Sequence, residues 1–288
     1  MKDKKKGILF ILGAAFFFAL MNLFVKLGGD VPTMQKAFFR NAVAAIAALF
    51  VVMKNNGCLK SAKGNITDLV LRSSFGLFGI ICNFYAIDRL NISDASLLNK
   101  LSPFFAVIFS IFILHEIASK REWMYVIVAF IGALFVIKPT FSMEIIPAIA
   151  GTIGGMCAGL AYTFVRKMTK NGVEGPVIVL FFSAFSSIVL LPNLIINFTS
   201  MSTQQTLSLI MAGVSAAGGQ FCITAAYKNA PAKEISVFDY TQVVIAAVLG
   251  FLFLDQIPDI LSFLGYAIIL TVAVLKWRYN LKNEVPCR

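Results

Sequence analysis

The sequence predicts an all-α integral membrane protein of ten transmembrane helices, built as two inverted five-helix repeats with both termini in the cytoplasm. Three observations carry the prediction. A chain of 288 residues with 59% hydrophobic and 14% charged side chains, at a mean hydropathy of +0.84, lacks the polar surface a water-soluble globule needs. Apolar runs able to cross a hydrocarbon core of about 30 Å recur at roughly 7–27, 33–53, 69–87, 94–114, 121–137, 148–166, 176–196, 207–227, 234–254 and 260–277. A single ungapped offset of 140 residues then lays the second half of the chain over the first.

The first span, GILFILGAAFFFALMNLFVK, is apolar up to Asn22 and Lys26. The KDKKK before it reads as the inner flank of a span, because the apolar run is too long for a signal peptide and ends in no small-residue cleavage site. Its mate is the sixth span, where Leu160, Phe164, Val165 and Arg166 answer Leu20, Phe24, Val25 and Lys26, and Tyr162 answers Asn22. In the third and eighth spans Gly79, Cys82 and Ala86 answer Gly219, Cys222 and Ala226. The fourth and ninth spans are polar at one end and greasy at the other. Asp94–Glu116 (DASLLNKLSPFFAVIFSIFILHE) lies over Glu234–Gln256 (EISVFDYTQVVIAAVLGFLFLDQ), with Ser96 over Ser236, Asn99 over Asp239 and Leu114 over Leu254. Lys138 and Arg278 close the fifth and tenth spans. Five spans is an odd number, so the second copy enters the membrane from the opposite side. Inverted repeats of this kind place substrate sites near the midplane between the halves.

The net charge of +11 is explained by topology rather than by nucleic acid. With the N-terminus inside, all but Lys26, Lys36, Arg40, Arg89, Lys100 and Lys138 of the 25 basic residues fall on the inner side. Trp123 and Trp277 sit at inner helix ends as interfacial anchors. The five cysteines, Cys58, Cys82, Cys157, Cys222 and Cys287, have no metal-ligand spacing and read as small apolar packers. Gly151, Gly155 and Gly159 form a stripe on one face of the sixth helix that lets another backbone come close, and Gly213, Gly218 and Gly219 do the same on the eighth. Pro103, Pro147 and Pro192 bend or bound their helices.

The lysine-rich start, FFFALMNLFVK, the FFRNAVAAIAALF second helix, the hairpin FYAIDRLNISDASLLNKLSPFFAVIFSIFILHE and its counterpart AAYKNAPAKEISVFDYTQVVIAAVLGFLFLDQ together resemble the drug/metabolite transporter superfamily of the EamA-domain type. The resemblance spans nearly the whole chain and divides it into a first EamA-like repeat at 1–140 and a second at 141–288, which ends in a short cytoplasmic tail. It implies a basket of helices around a central cavity lined by the first, third, fourth, sixth, eighth and ninth, with the fifth and tenth peripheral. It also implies alternating access for amino acids, nucleotide-linked metabolites, vitamins or drugs. Lys100, where many members are uncharged, and Arg166 depart from the common pattern.

An ionised side chain at mid-membrane costs roughly 2.5–3.5 kcal/mol, so each one needs a partner, water or a function. Arg40 and Lys100 lie in the outer half and, if they face inward, make a basic vestibule for a carboxylate or phosphate, with Lys26 at its rim. Alternatively Lys26 and Lys100 snorkel outward, and Arg40 pairs with Asp30, Asp88 or Asp94. Asp239 can exchange a proton as its hydration changes, or else tie helices together, and its distance from Lys100 along the membrane normal argues against a pair. Asn22, Asn83, Asn99, Tyr162, Gln220, Tyr240 and Gln242 supply neutral donors and acceptors for a substrate, and Phe84 and Phe238 supply stacking faces; helix glue is the plainer role for any of them. His115 beside Glu116 reads as a solvated helix end.

These residues predict a secondary transporter of an amino-acid-like or other small organic metabolite, coupled to protons or to exchange. A broad-specificity multidrug exporter is the alternative within the class. A membrane-embedded enzyme or a channel is the less favoured alternative outside it. The expected partners are a small-molecule substrate and the lipid bilayer, with a homodimer left open, in the inner membrane of a bacterium; no cofactor, metal, catalytic residue or nucleic acid is expected. No Walker lysine loop is present to bring ATP into the mechanism.

Overall fold

The computed structural model describes residues 4–54, 62–89, 98–137, 144–254 and 258–282, with the side chains of Phe84, Ile87, Asp88 and Lys282 left aside. Within these residues every regular element is helical. In chain order they are α1 (Lys4–Leu27), α2 (Thr33–Lys54), α3 (Ile66–Arg89), α4 (Ser102–Leu114), α5 (Lys120–Ile137), α6 (Ile145–Lys170), α7 (Gly175–Ile196), α8 (Thr203–Asn229), α9 (Ala232–Leu254) and α10 (Ile260–Lys282). Among the described residues, eight helices are long and apolar enough to cross a membrane. The other two are α4, with 13 residues, and α5, which opens on Lys120, Arg121 and Glu122. Exposed Ile46, Phe50, Phe112, Ile188 and Ile195 give the bundle the greasy exterior that lipid requires.

The helices pair in a pattern that repeats when each is exchanged for the one five places on. Helix α1 packs on α8 as α3 packs on α6, α4 packs on α6 as α9 packs on α1, and α2 packs on α7 as α5 packs on α10. Without a hydrophobic gain between helices in lipid, such pairs depend on close backbone approach. A Cβ added at Gly155 would lie 2.5 Å from the Leu98 carbonyl, and one at Gly159 2.7 Å from the Ala106 nitrogen, so the predicted stripe on α6 is where α4 is seated. Across α3 and α6 the Gly79 position meets the Gly154 carbonyl at 3.1 Å, and across α8 and α1 the Gly219 position meets the Phe18 ring at 2.5 Å. Cys157 and Cys222 pack beside Gly79 and Gly13, and with Cys82 they are free thiols.

Two apolar clusters follow. The larger joins Ile11 and Phe18 of α1, Phe164 and Met168 of α6, Ile223 of α8 and Phe238 of α9. The smaller gathers Val126, Ala129 and Ala133 of α5, Ile269 and Val272 of α10, and Tyr240 of α9. Helices α5 and α10 thus clasp one another on the flank of α9.

At the end of the bundle where α1 begins, charged residues from many helix termini interlock. Lys4 meets Glu234 at 3.0 Å; Lys276, 0% exposed, lies 3.6 Å from Glu234 and 3.4 Å from Glu122. Arg166 donates to Glu116 through Nε and Nη2 (3.1 and 3.0 Å) and through Nη1 to the Tyr227 and Lys228 carbonyls that end α8 (3.0 and 3.2 Å). Lys170 also reaches Glu116, and Lys167 meets Asp68 at 2.9 Å. The opposite end is lighter among the described residues: Gln35 donates to the Thr199 carbonyl (2.8 Å) and accepts from its N–H (3.0 Å).

The fourth span is bounded at Pro103, as expected, and the ninth is broken near its start, which the sequence did not announce. In α9 a single α-turn, Ala232–Ile235, passes into a 3₁₀ segment, Ser236–Tyr240, before the helix resumes at Thr241–Leu254. The Thr241 hydroxyl donates to the Phe238 carbonyl at 2.6 Å, which draws that carbonyl away from the regular ladder. In the fourth, Leu101 N–H donates to the Leu98 carbonyl (3.2 Å) in a tight turn, and α4 starts at Ser102 with Pro103 in its first turn. Asp94 and Ser96 lie outside the described residues. Pro147 falls near the start of α6 and Pro192 inside α7. His115, the αL cap of α4 (φ 55°), is exposed as expected.

Two outcomes test this packing. Gly159→Val forces α4 off α6 and lowers stability by about 1–3 kcal/mol or more, read as a fall in Tm in detergent, whereas the lipid-facing Ile188→Val leaves Tm unchanged. Arg166→Gln leaves Glu116 to Lys170 alone and strips two helix-end carbonyls of their donor, costing about 1–3 kcal/mol, while Lys170→Gln, at the rim of the same cluster, costs less than about 1 kcal/mol.

Candidate functional site

The two interrupted helices meet, and their interruptions touch. Lys100, in the turn before α4, donates through Nζ to Gln242 Oε1 (2.7 Å), to Asp239 Oδ2 (3.3 Å) and to the Asp239 carbonyl (3.5 Å). The lysine and aspartate side chains are 10% and 13% exposed, so this is an ion pair inside the bundle. The Tyr240 hydroxyl donates to the Lys100 carbonyl at 3.0 Å. Lys100 and Tyr240 are 140 residues apart, the same separation as the offset noted in the sequence.

This corrects the expectation that Lys100 and Asp239 sit at different depths. Depth was judged at 1.5 Å per residue along straight helices. Both segments instead carry tightened turns at matched places, and a 3₁₀ segment rises about 2.0 Å per residue. The lysine does not snorkel outward; its three donors are spent on Asp239 and Gln242.

Arg40 lies on α2, 7% exposed, with Nε donating to the Met21 thioether (3.0 Å) and Nη1 to Asn41 Oδ1 (3.5 Å). Among the described residues no carboxylate meets it: exposed Asp30 does not, while Asp94 and the Asp88 side chain fall outside. Gln220 on α8 accepts from Arg72 Nη2 at 2.9 Å. The sequence reading missed Arg72, which it counted among the inner-side charges. Arg72 is 2% exposed, with its Cζ 3.6 Å above the Phe182 ring centroid of α7. A signal was present, because Arg72 stands inside a predicted span with Gly76 one turn later, and a Cβ at Gly76 would lie 2.9 Å from Arg72 Nη1.

Tyr162 stacks on Tyr227, with 5.4 Å between centroids and 20° between planes. Asn83 and Asn99 are half-buried, and Asn83 Oδ1 has no hydrogen-bond partner. Asn22 and Lys26 are exposed, yet they share a helical face with buried Ile11, Ala15 and Phe18, so that face leaves the core and meets solvent toward the end of α1. Phe238 is core, 3% exposed, and Tyr240 is 0% exposed against α5 and α10, so the described structure gives neither ring an open face. Phe84's side chain lies outside the described residues. The structure therefore joins Lys100, Asp239, Gln242 and Tyr240 in one set and Gln220 to Arg72 in another, with Arg40 on the α2 helix that packs against α7 and α8.

Comparison with known proteins gives the chain relatives over almost its full length. It is 29% identical to the pseudopaline exporter CntI of Pseudomonas aeruginosa, over 94% of this chain and 95% of that one. It is 26% identical to an S-adenosylmethionine uptake transporter of Rickettsia prowazekii, over 91% and 88%. A solved crystal structure shares the fold with a TM-score of 0.86 at 15% identity, covering 95% of this chain and 98% of that one. The names of these relatives point to transport rather than catalysis. The profile of the EamA-like transporter family matches twice, at residues 5–138 and 145–277. This chain is a multi-span membrane protein that belongs to the EamA-like transporter family.

Proposed function

We propose that this protein is a secondary active transporter of a small organic metabolite, working by alternating access between two inverted five-helix halves, 1–140 and 141–288, that together cross the membrane ten times. The observation that carries the reading is the Lys100–Asp239 ion pair, 3.3 Å long, at the meeting of two interrupted helices. Interrupted helices are tolerated in lipid where their freed backbone groups are used or line a cavity, and in transporters they hold substrate and coupling-ion sites. The doubled family match, the helix pairing that survives exchange of the halves, and the contact between Lys100 and Tyr240 all support an axis through this point. Relatives named for exporting pseudopaline and for taking up S-adenosylmethionine favour an organic metabolite as cargo.

The mechanism follows from the charges. Asp239 neutralises Lys100 while α4 and α9 are together; a proton on Asp239 removes the attraction and lets the two helices part. The end that carries Lys4, the cytoplasmic end by the charge asymmetry of the sequence, is tied by Arg166–Glu116, Lys167–Asp68 and Lys276 between Glu122 and Glu234. The solvent-facing Asn22 and Lys26 lie toward the other end. The described state is therefore read as closed to the cytoplasm, with transport requiring those ties to open. The bacterial relatives favour the inner membrane as its place.

In proteoliposomes loaded with a metabolite that the protein binds, Asp239→Asn is expected to lose dependence on an imposed proton gradient while still binding that metabolite; gradient-driven transport at the native rate sinks the coupling. The pair has its own stability test. Lys100→Met leaves a buried carboxylate alone and costs about 3–5 kcal/mol, and adding Asp239→Leu recovers most of the loss, measured as Tm.

A further inference from the structure

Among the described residues three arginines are buried, and one shows how such a charge is normally settled. Arg166 donates to a carboxylate and to two main-chain carbonyls. Arg72 is equally buried and has one neutral acceptor, Gln220; its Nε and Nη1 have no partner. Arg40 has a thioether and a 3.5 Å contact to its neighbouring amide. Guanidinium groups do not shed their charge inside proteins, and leaving N–H donors dry costs free energy that a merely structural arginine would have lost to a nearby acid. Arg40 stands on α2, which packs on α7 and α8, the two helices whose Phe182 and Gln220 hold Arg72. The one carboxylate of the central region described here, Asp239, is already matched by Lys100. Two positive charges are therefore left without counter-charge among the described residues.

We propose that Arg40 and Arg72 form a clamp for a metabolite carrying two negative charges, a dicarboxylate or a phosphate monoester, with the Gln220 amide as a neutral partner. The proposal rests on the transporter reading and names the substrate class for it. The chemistry suits the geometry. Phe182 covers the face of the Arg72 guanidinium and leaves its edge for in-plane, bidentate contact with an oxyanion. Gly76 keeps the space beside Nη1 that any side chain would fill. Nε and Nη1 are enclosed in this conformation. Parting α3 from α8 breaks the Gln220 bond and uncovers them, so anion binding and helix movement are linked. The anion enters with Lys100 held by Asp239, which keeps a third cation from competing for it.

The test uses the purified full-length protein in detergent, with thermal shift and calorimetry against succinate, glycerol 3-phosphate, glutamate (net charge −1), glutamine and putrescine. Succinate or glycerol 3-phosphate is expected to bind and raise Tm, the preferred one telling carboxylate from phosphate; glutamate binds at least about 10-fold more weakly, and glutamine and putrescine do not bind. Arg40→Gln and Arg72→Gln should each weaken the preferred dianion by about 10-fold or more, and Arg72→Lys should rescue only in part, because a point charge lacks the fork. If Arg72→Gln does not fold, Arg40→Gln decides, since its contacts in the fold are weak. Native affinity for the dianion in a folded Arg40→Gln, or no binding of either dianion, overturns the clamp. Proteoliposomes separate this failure from that of the reading beneath it: gradient-driven movement of glutamine or putrescine by a protein that ignores dianions removes the clamp and leaves the transporter. Accumulation of none of the five solutes under any gradient tells against both.

Discussion

The structure depends on how charge is settled inside a body surrounded by hydrocarbon. A lysine or arginine carried into the bundle has no water to fall back on, so its partner fixes which helices lie together. Lys100 joins the turn before α4 to α9, Lys276 joins α10 to α5 and to the start of α9, and Arg166 joins the end of α6 to the segment after α4 and to the last carbonyls of α8. In the alternating access proposed above, these contacts are also the ones that a change between inward and outward states has to break or remake. The same interactions that hold this conformation set the height of the barrier to leaving it.

Close packing supplies the other half of the architecture. Glycine at 155 and 159 lets α4 come against the α6 backbone, glycine at 79 does the same for α3 on α6, and glycine at 219 makes room on α8 for the Phe18 ring of α1. Helices that touch through backbone rather than through long side chains move as units, which suits a rocking mechanism. In the proposed mechanism the sliding or parting surfaces are those bridged by side chains: Arg72 to Gln220 between α3 and α8, and Lys100 to Asp239 between α4 and α9. Polar bonds of this kind can be exchanged for bonds to substrate or to a proton, which packed backbones cannot offer.

Much of the fold was legible in the sequence because the bilayer reads length and hydropathy directly. The spans, the 140-residue offset and the glycine stripe on α6 follow from that constraint, whereas the pairing of α5 with α10, expected only to be peripheral, came from the structure. The site was legible in composition but not in pairing. Arg40, Lys100, Tyr162, Gln220, Asp239 and Gln242 could be named because polar groups in apolar spans are costly. Which of them meet depends on local helix geometry, and a tightened turn in each of two segments is enough to bring Lys100 and Asp239 to 3.3 Å. Arg72 was hidden by the charge count itself, since a basic residue near the inner end of a span satisfies the topology rule whether it points to water or into the bundle.

The sequence by itself determined that this protein lives in a membrane and that an EamA-like unit occurs in it twice, because both are fixed by the one-dimensional order of apolar, polar and small residues. The tertiary structure alone decided that α9 is interrupted at Ser236–Tyr240, that Lys100 is spent on Asp239, and that Arg72 reaches Gln220 across 148 residues with two nitrogens unpartnered. Those facts depend on the distance between groups far apart in the chain. In a low-dielectric interior that distance, more than the identity of either group, determines whether a charge is neutralised or left for a ligand.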